Sequence, residues 1–150
     1  MRIGLVDFLP LAVLVGVAWV GWSLLLAWSR TLRLTRAFHG MSPAKVWLLL
    51  IPIFNLIWNF HLVNVATRGV KARFQQLGRD PGDAGHGIGT TYSIVVAVTF
   101  VVGAAARSHG GLDLVHAALV VVSLIVAVLF WRRLVALNRV MEAPLPSSPA

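Results

Sequence analysis

The chain has no cysteine and only five acidic residues in 150, namely Asp7, Asp80, Asp83, Asp113 and Glu142. Without cysteine there is no disulfide, no thiolate nucleophile and no thiolate metal site. The acids stand near the ends of apolar runs and are unpaired, which leaves neither a two-carboxylate reaction nor proton coupling through a buried carboxylate any support. Charge is scarce throughout: 12% of the residues are charged, against about a quarter in a soluble domain. There is no internal repeat. No A-x-A cleavage pattern follows the first apolar run, which is too long for a signal peptide and has Asp7 and Pro10 near its start. That run reads as a retained anchor.

What fills the chain is apolar sequence, 58% of it, in runs over 5–28, 46–66, 92–106 and 114–131. A helix of about 20 residues crosses the hydrocarbon core of a bilayer. The first and last runs satisfy this directly, and the third gains length when residues 88–91 join it. The expected fold is an all-α integral membrane protein, a four-helix transmembrane bundle in one domain over 1–142. Its helices are expected at about 5–38, 44–77, 89–106 and 113–141. The proline- and serine-rich end, 143–150, is expected to be a disordered tail.

Thirteen lysines and arginines give a formal charge of +8. They sit beside the apolar runs, with no aromatic-interleaved soluble surface, so they read as topological signals and attraction to anionic lipid; no nucleic acid is expected. Their distribution raises a topological question. With four crossings and both termini inside, five of the thirteen stay outside, among them Arg30, Arg33, Arg36 and Lys45. If 46–66 instead enters and returns as a re-entrant hairpin, only Arg2 and Arg107 stay outside, as the positive-inside rule prefers. Pro52 removes a backbone donor and disfavours a helical Ile51, so a break near 51–55 fits the hairpin. Proline kinks are nevertheless common in spanning helices, and hairpins are rarer than crossings. Four crossings, with the second helix kinked, is therefore the first expectation and the hairpin its rival.

Both early helices are expected to run past the membrane. Arg30, Arg33 and Arg36 recur every three residues and make a basic stripe able to snorkel to headgroups. The stretch 67–77 is amphipathic and carries Lys71 and Arg73. These five residues are the candidate contacts to lipid or a partner. A helix end is expected near His39–Gly40, with Ser42 and Pro43 starting the next helix, and 78–89 forms the main irregular loop. Small residues line one face each of three helices: Ala12, Gly16, Ser23 and Ala27; Ser93, Ala97 and Ala104; His116, Ser123 and Ala127. Such faces let helices pack closely in lipid. Of six tryptophans, Trp28, Trp47 and Trp131 lie at run ends, where interfacial belts belong, and Trp19, Trp22 and Trp58 lie deeper and suit packing.

One constellation could carry chemistry. On a helix advancing about 100° per residue, Asn55 and Asn59 share one face, while His61 and Asn64 form a roughly opposite patch extended by Arg68. A helix polar on two sides is poorly suited to facing lipid and belongs in a central or locally unwound position. Hydrogen bonding to neighbouring helices is sufficient explanation for these side chains. The functional alternative is a polar path or headgroup site in which His61 could titrate near neutral pH. The other histidines are scattered, no helix face carries a metal-binding pair, and the glycines of 85–89 lack Walker spacing. No metal, cofactor or enzymatic reaction is expected.

The run V-W-L-L-L-I-P-I-F-N-L-I-W, with the amphipathic stretch and glycine loop that follow it to about residue 90, resembles a segment of small uncharacterised bacterial polytopic membrane proteins. Pro52, Phe54, Asn55 and Trp58 carry the resemblance, which covers about a third of the chain. It implies a multi-pass protein of the bacterial inner (cytoplasmic) membrane and no particular reaction. The first functional expectation is a non-enzymatic accessory or assembly protein whose basic helix extensions bind anionic lipid or a membrane partner, within a homo-oligomer or a larger complex. A small oligomeric channel or transporter, with a polar path through Asn55, Asn59, His61 and Asn64, is the alternative, and an enzyme acting on lipid comes third.

Overall fold

The computed structural model describes the backbone of residues 5–109 and 113–142 and the side chains of 15–51, 54–108 and 114–142. The tail 143–150 and the side chains of Ala12, His109 and Asp113 lie outside the described residues. All regular structure among those described is helical: α1 (Leu5–Leu34), α2 (Arg36–His39), a 3₁₀ segment (Pro43–Leu50), α3 (Pro52–Gln76), α4 (His86–His109) and α5 (Asp113–Met141).

The expected single helix over 44–77 is two elements. Ser42 accepts a hydrogen bond from the Ala44 amide and Pro43 fills the first helical position, but the turns that follow are 3₁₀ and last only to Leu50. Ile51 is extended at φ −86°, ψ 112°, the conformation a residue before proline is driven to, and α3 starts at Pro52. The chain reverses there. The Trp58 indole donates to the Lys45 carbonyl at 3.0 Å, and farther along α3 Gly69 packs on Thr35 and His39. On the outward leg the 3₁₀ segment runs beside α1, where Trp47 meets Trp22 with ring centres 5.3 Å apart. From Pro52 to Gly69 the hairpin is about 26 Å deep at 1.5 Å per residue.

The same contacts fix the helix directions. Trp19 meets Trp131 and Thr31 meets Asn138, so α1 and α5 run parallel; Arg73 reaches the Met141 carbonyl, so α3 runs with them. Thr99 bonds Ser123 and Gly103 abuts His116, which sets α4 antiparallel to α5. Three helices therefore finish at one end of the molecule, together with α2 and the loop before α4.

Local chemistry explains the remaining boundaries. α3 stops in a Schellman turn, with Gly78 at φ 64° and the Arg79 amide donating to the Phe74 carbonyl at 3.0 Å. The loop is shorter than 78–89, because Asp83 accepts from the amides of Gly85 and Gly87 and α4 begins at His86. Gly87 and Gly89 are thus helical. A Cβ on Gly89 would lie 3.0 Å from Val63 and 3.1 Å from Phe130, so this glycine marks where α3, α4 and α5 converge.

The core gathers where the hairpin meets α1 and α5. Leu24, Trp28 and Leu32 pack with Val46, Leu62, Val63, Ala66, Phe130 and Leu134, and a smaller cluster of Val70, Phe74, Ala84, Leu137 and Met141 closes the basic end. Trp28 belongs to this core and not to an interfacial belt: it is 1% exposed and stacks edge-on against Phe130. Trp19 and Trp22 lie on the outside instead, against Trp131 and Trp47. One buried polar node ties α1 to α5: Thr31 donates to Asn138 at 2.9 Å, and Asn138 donates to the Ala27 carbonyl at 3.1 Å. Of the small-residue faces, Ser123 and His116 on α5 meet α4, and Ala27 is buried, while Gly16 faces open space.

Gly69 is the tightest joint. A Cβ there would stand 2.6 Å from the Thr35 Cβ and 2.8 Å from its hydroxyl. Alanine would gain about 1 kcal/mol of helix propensity, but overpacking costs about 1–3 kcal/mol. Gly69→Ala is expected to lower stability in reversible unfolding from detergent micelles, whereas Gly21→Ala, where nothing lies within 4 Å, is expected to raise it. A stabilising Gly69→Ala would rule out this close approach.

Candidate functional site

The polar residues of α3 fall on two faces. Asn59 is 2% exposed and its Oδ1 has no hydrogen-bond partner among the described residues; Asn55, one turn earlier, is half-buried. His61 and Asn64 are exposed. His61 stacks on Trp58 with ring centres 4.8 Å apart, and Asn64 bonds the Phe60 carbonyl and reaches His86 Nε2 at 3.3 Å. The fold brings Asn64 to the start of α4, leaves His61 stacked on Trp58, and turns Asn55 and Asn59 away from them. Four side chains split in this way do not line one passage.

The basic residues come together instead. Arg30, Arg33, Arg36 and Lys71 are exposed, and Arg73 is half-buried, donating to Gln76 at 3.2 Å and to the Met141 carbonyl at 3.5 Å. Arg132, Arg133 and Arg139 on the last turns of α5 are exposed at the same end. Two acids answer them. Glu142 accepts from Arg30 at 2.6 Å, and Asp83 lies 3.5 Å from Arg133. The Gly85 amide, helped by the Gly87 amide and the Arg133 guanidinium, holds the Asp83 carboxyl below its ordinary range. No local pattern marks Glu142 as a partner of Arg30, which lies at the far end of the chain; only the parallel course of α1 and α5 joins them, and it also brings Arg139 to the same groove as Arg30.

Among the described residues three open grooves flank α5, one of them, of about 340 Å³, against Phe74 and the 80–82 turn. Another, of about 320 Å³, lies between α1 and α5, with Arg30 and Arg139 at one end and Leu26, Trp131 and Val135 along it. The third, of about 360 Å³, lies between α4 and α5 towards the opposite end, with Arg107 and His116 in its lining. Its wall is pinned by the Thr99–Ser123 hydrogen bond at 2.8 Å. Among the described residues no three histidine or carboxylate side chains converge in a way that could hold a metal.

His39 latches the entry to the hairpin. Its Nδ1 lies 2.9 Å from the Met41 amide, which can only donate, so the ring proton sits on Nε2 and points at the Thr35 hydroxyl, 2.9 Å away. That hydroxyl in turn donates to the Thr31 carbonyl at 2.8 Å. The latch needs the neutral ring. Burial lowers the His39 pKa from its ordinary 6.5.

Two outcomes follow from this geometry. The folded state binds the His39 proton less readily than the unfolded chain, so the latch contributes fully above pH 6.5, and its contribution falls as pH drops below that value. A fall in thermal stability is expected over this interval, and His39→Gln is expected to flatten it; an unchanged slope in the variant would remove the latch. Asn59→Leu replaces a buried acceptor without a partner by an apolar side chain and is expected to stabilise by about 1 kcal/mol, read by denaturant unfolding. A clear loss would mean that Oδ1 serves a bound group. No protein-family model, curated protein or solved structure matches the chain.

Proposed function

We propose that the protein is a non-enzymatic, multi-pass protein of the bacterial cytoplasmic membrane, an accessory or assembly component whose basic helix ends hold anionic lipid or an acidic membrane partner. The membrane setting is supported by α4 and α5. Residues His86–Ser108 and Leu114–Met141 are long and apolar enough to cross, yet only 17% and 11% of their most apolar windows are buried. A core helix of a soluble protein would be mostly buried. Side chains such as Ile57, Val101 and Leu114, 78%, 61% and 83% exposed, instead need an apolar solvent.

The observation that carries the functional reading is the meeting of basic residues at one end. Arg30, Arg33 and Arg36, Lys71 and Arg73, and Arg132, Arg133 and Arg139 converge there against Asp80, Asp83 and Glu142. In the proposed orientation α1, α4 and α5 cross, the hairpin re-enters from the basic side, and that side is cytoplasmic. Each Lys or Arg near an anionic leaflet contributes about 1 kcal/mol of attraction, so a cluster of this size outweighs the few acids within it. The channel reading draws no comparable support, because Asn55 and Asn59 are turned away from His61 and Asn64.

A cysteine-free chain makes the topology directly testable. Arg36→Cys and Arg73→Cys are expected to react with an impermeant maleimide from the same, cytoplasmic side, and the lipid co-purified with the protein is expected to be enriched in anionic species. Labelling from opposite faces would dispose of the hairpin, and a lipid shell matching the bulk membrane would dispose of the anionic-lipid arm of the reading.

A further inference from the structure

The groove between α1 and α5 pairs two arginines with an apolar trough. Arg30 and Arg139 stand at its basic end, and from there an apolar trough of Leu26, Trp131 and Val135 runs towards Ser23, about 10 Å down α1 at 1.5 Å per residue. Its volume of about 320 Å³ is at the lower limit for a ligand site, about 300–1,000 Å³. That suits part of a larger amphiphile more than a whole small molecule. The polar atoms of Asn138 are spent on Thr31 and the Ala27 carbonyl, and Ser23 lies at the far end of the trough. At the basic end the two guanidinium groups are the ones placed to meet a polar ligand.

We propose that this groove is a site for one anionic glycerophospholipid, its phosphate between Arg30 and Arg139 and the upper part of one acyl chain along Leu26, Trp131 and Val135. The site rests on the membrane reading above and narrows it from a basic surface to one place. Charge complementarity selects the occupant. Glu142 is the acid at the mouth, and its carboxylate already bonds Arg30 in the way a phosphate oxygen would. Their side chains are 61% and 36% exposed, so the pair is weakly held and gives way to a ligand that also engages Arg139. Glu142 is thus a competitor for the lipid phosphate. Trp131, about 12 Å below Arg139 on α5, offers the acyl chain a broad apolar wall.

The test is native mass spectrometry of the protein purified in an equimolar mixture of phosphatidylglycerol and phosphatidylcholine. Wild type is expected to retain phosphatidylglycerol selectively. Arg139→Gln is expected to lower that retention, on the order of tenfold, and Glu142→Gln to raise it. Arg79→Gln makes the same charge change in the loop away from the groove and is expected to leave retention unchanged. Selective retention that Arg139→Gln and Glu142→Gln leave unaltered would overturn the groove while the basic-end reading stands. Equal retention of the two lipids would overturn the groove and the anionic-lipid arm of that reading together. A wild-type dimer that Arg139→Gln dissociates would overturn the lipid in favour of a second copy of the chain.

Discussion

Everything at the basic end depends on one backbone constraint, the extended conformation that Pro52 imposes on Ile51. Were residues 44–77 one straight helix, its length of about 50 Å would carry Lys71 and Arg73 to the opposite end from Arg36. The reversal at Ile51 brings Gly69 back against Thr35 and His39, and α3 then finishes beside α5, where Arg73 meets the Met141 carbonyl. The concentration of positive charge is a consequence of that one turn. In the proposed membrane setting, extended backbone at Ile51 would have to be covered by protein or wet. The rest of the hairpin meets this need in part: the Ile51 amide bonds the Leu48 carbonyl, its carbonyl accepts from the Asn55 amide at 2.8 Å, and Trp58 satisfies the carbonyl of Lys45.

The apolar core holds the hairpin against α1 and α5, and a chain of small polar contacts fixes the register at its entry. Asn138 and Thr31 join α5 to α1, Thr35 passes the bond to His39, and His39 fixes the Met41 amide at the start of the outward leg. The buried members, Thr31, Thr35 and Asn138, are 0–3% exposed. In lipid each such bond contributes only about 0.6 kcal/mol, because an unfolded helix also finds partners there. Their worth lies in direction. Hydrogen bonds demand a register where apolar packing tolerates sliding, and the Gly69 contact, tolerating no Cβ, fixes the same register sterically.

This division explains what the sequence could reveal. The helix class, the helix end at Gly40 and the two-faced polarity of α3 are local, set by neighbours within a few residues, and a period or a glycine discloses them. Pro52 marks a disturbance without telling a kink from the reversal between the 3₁₀ segment and α3. The start of α4 was hidden by composition, because the glycines of 85–89 look like loop residues until Asp83 is seen capping them and Phe130 is seen pressing on Gly89. Trp28 looked interfacial because it ends an apolar run, and only the approach of α5 buries it against Phe130. The α1–α5 groove was least legible of all. It exists because two helices from opposite ends of the chain run parallel in a register that places Arg30 beside Glu142, and no one-dimensional pattern encodes that.

The hairpin also makes the molecule unequal along its length. Both core clusters lie in the half it occupies. Beyond the level of Trp22 and Trp47, α1, α4 and α5 continue without it. There Val101, Leu114, Val115 and Val121 are exposed, and α4 and α5 are joined by the Thr99–Ser123 bond and the seat of His116 on Gly103. In water such a half would be a liability, since each large apolar side chain left exposed forgoes about 1.5–3 kcal/mol. In hydrocarbon that penalty vanishes, because lipid tails are as apolar as leucine and helix association no longer draws on the hydrophobic effect. Close small-residue packing and interhelical hydroxyl bonds are the forces that remain, and they are what this half uses. In the proposed membrane setting the basic half, where headgroups and water would penetrate, is the half that has the apolar core, and the half without one would face hydrocarbon.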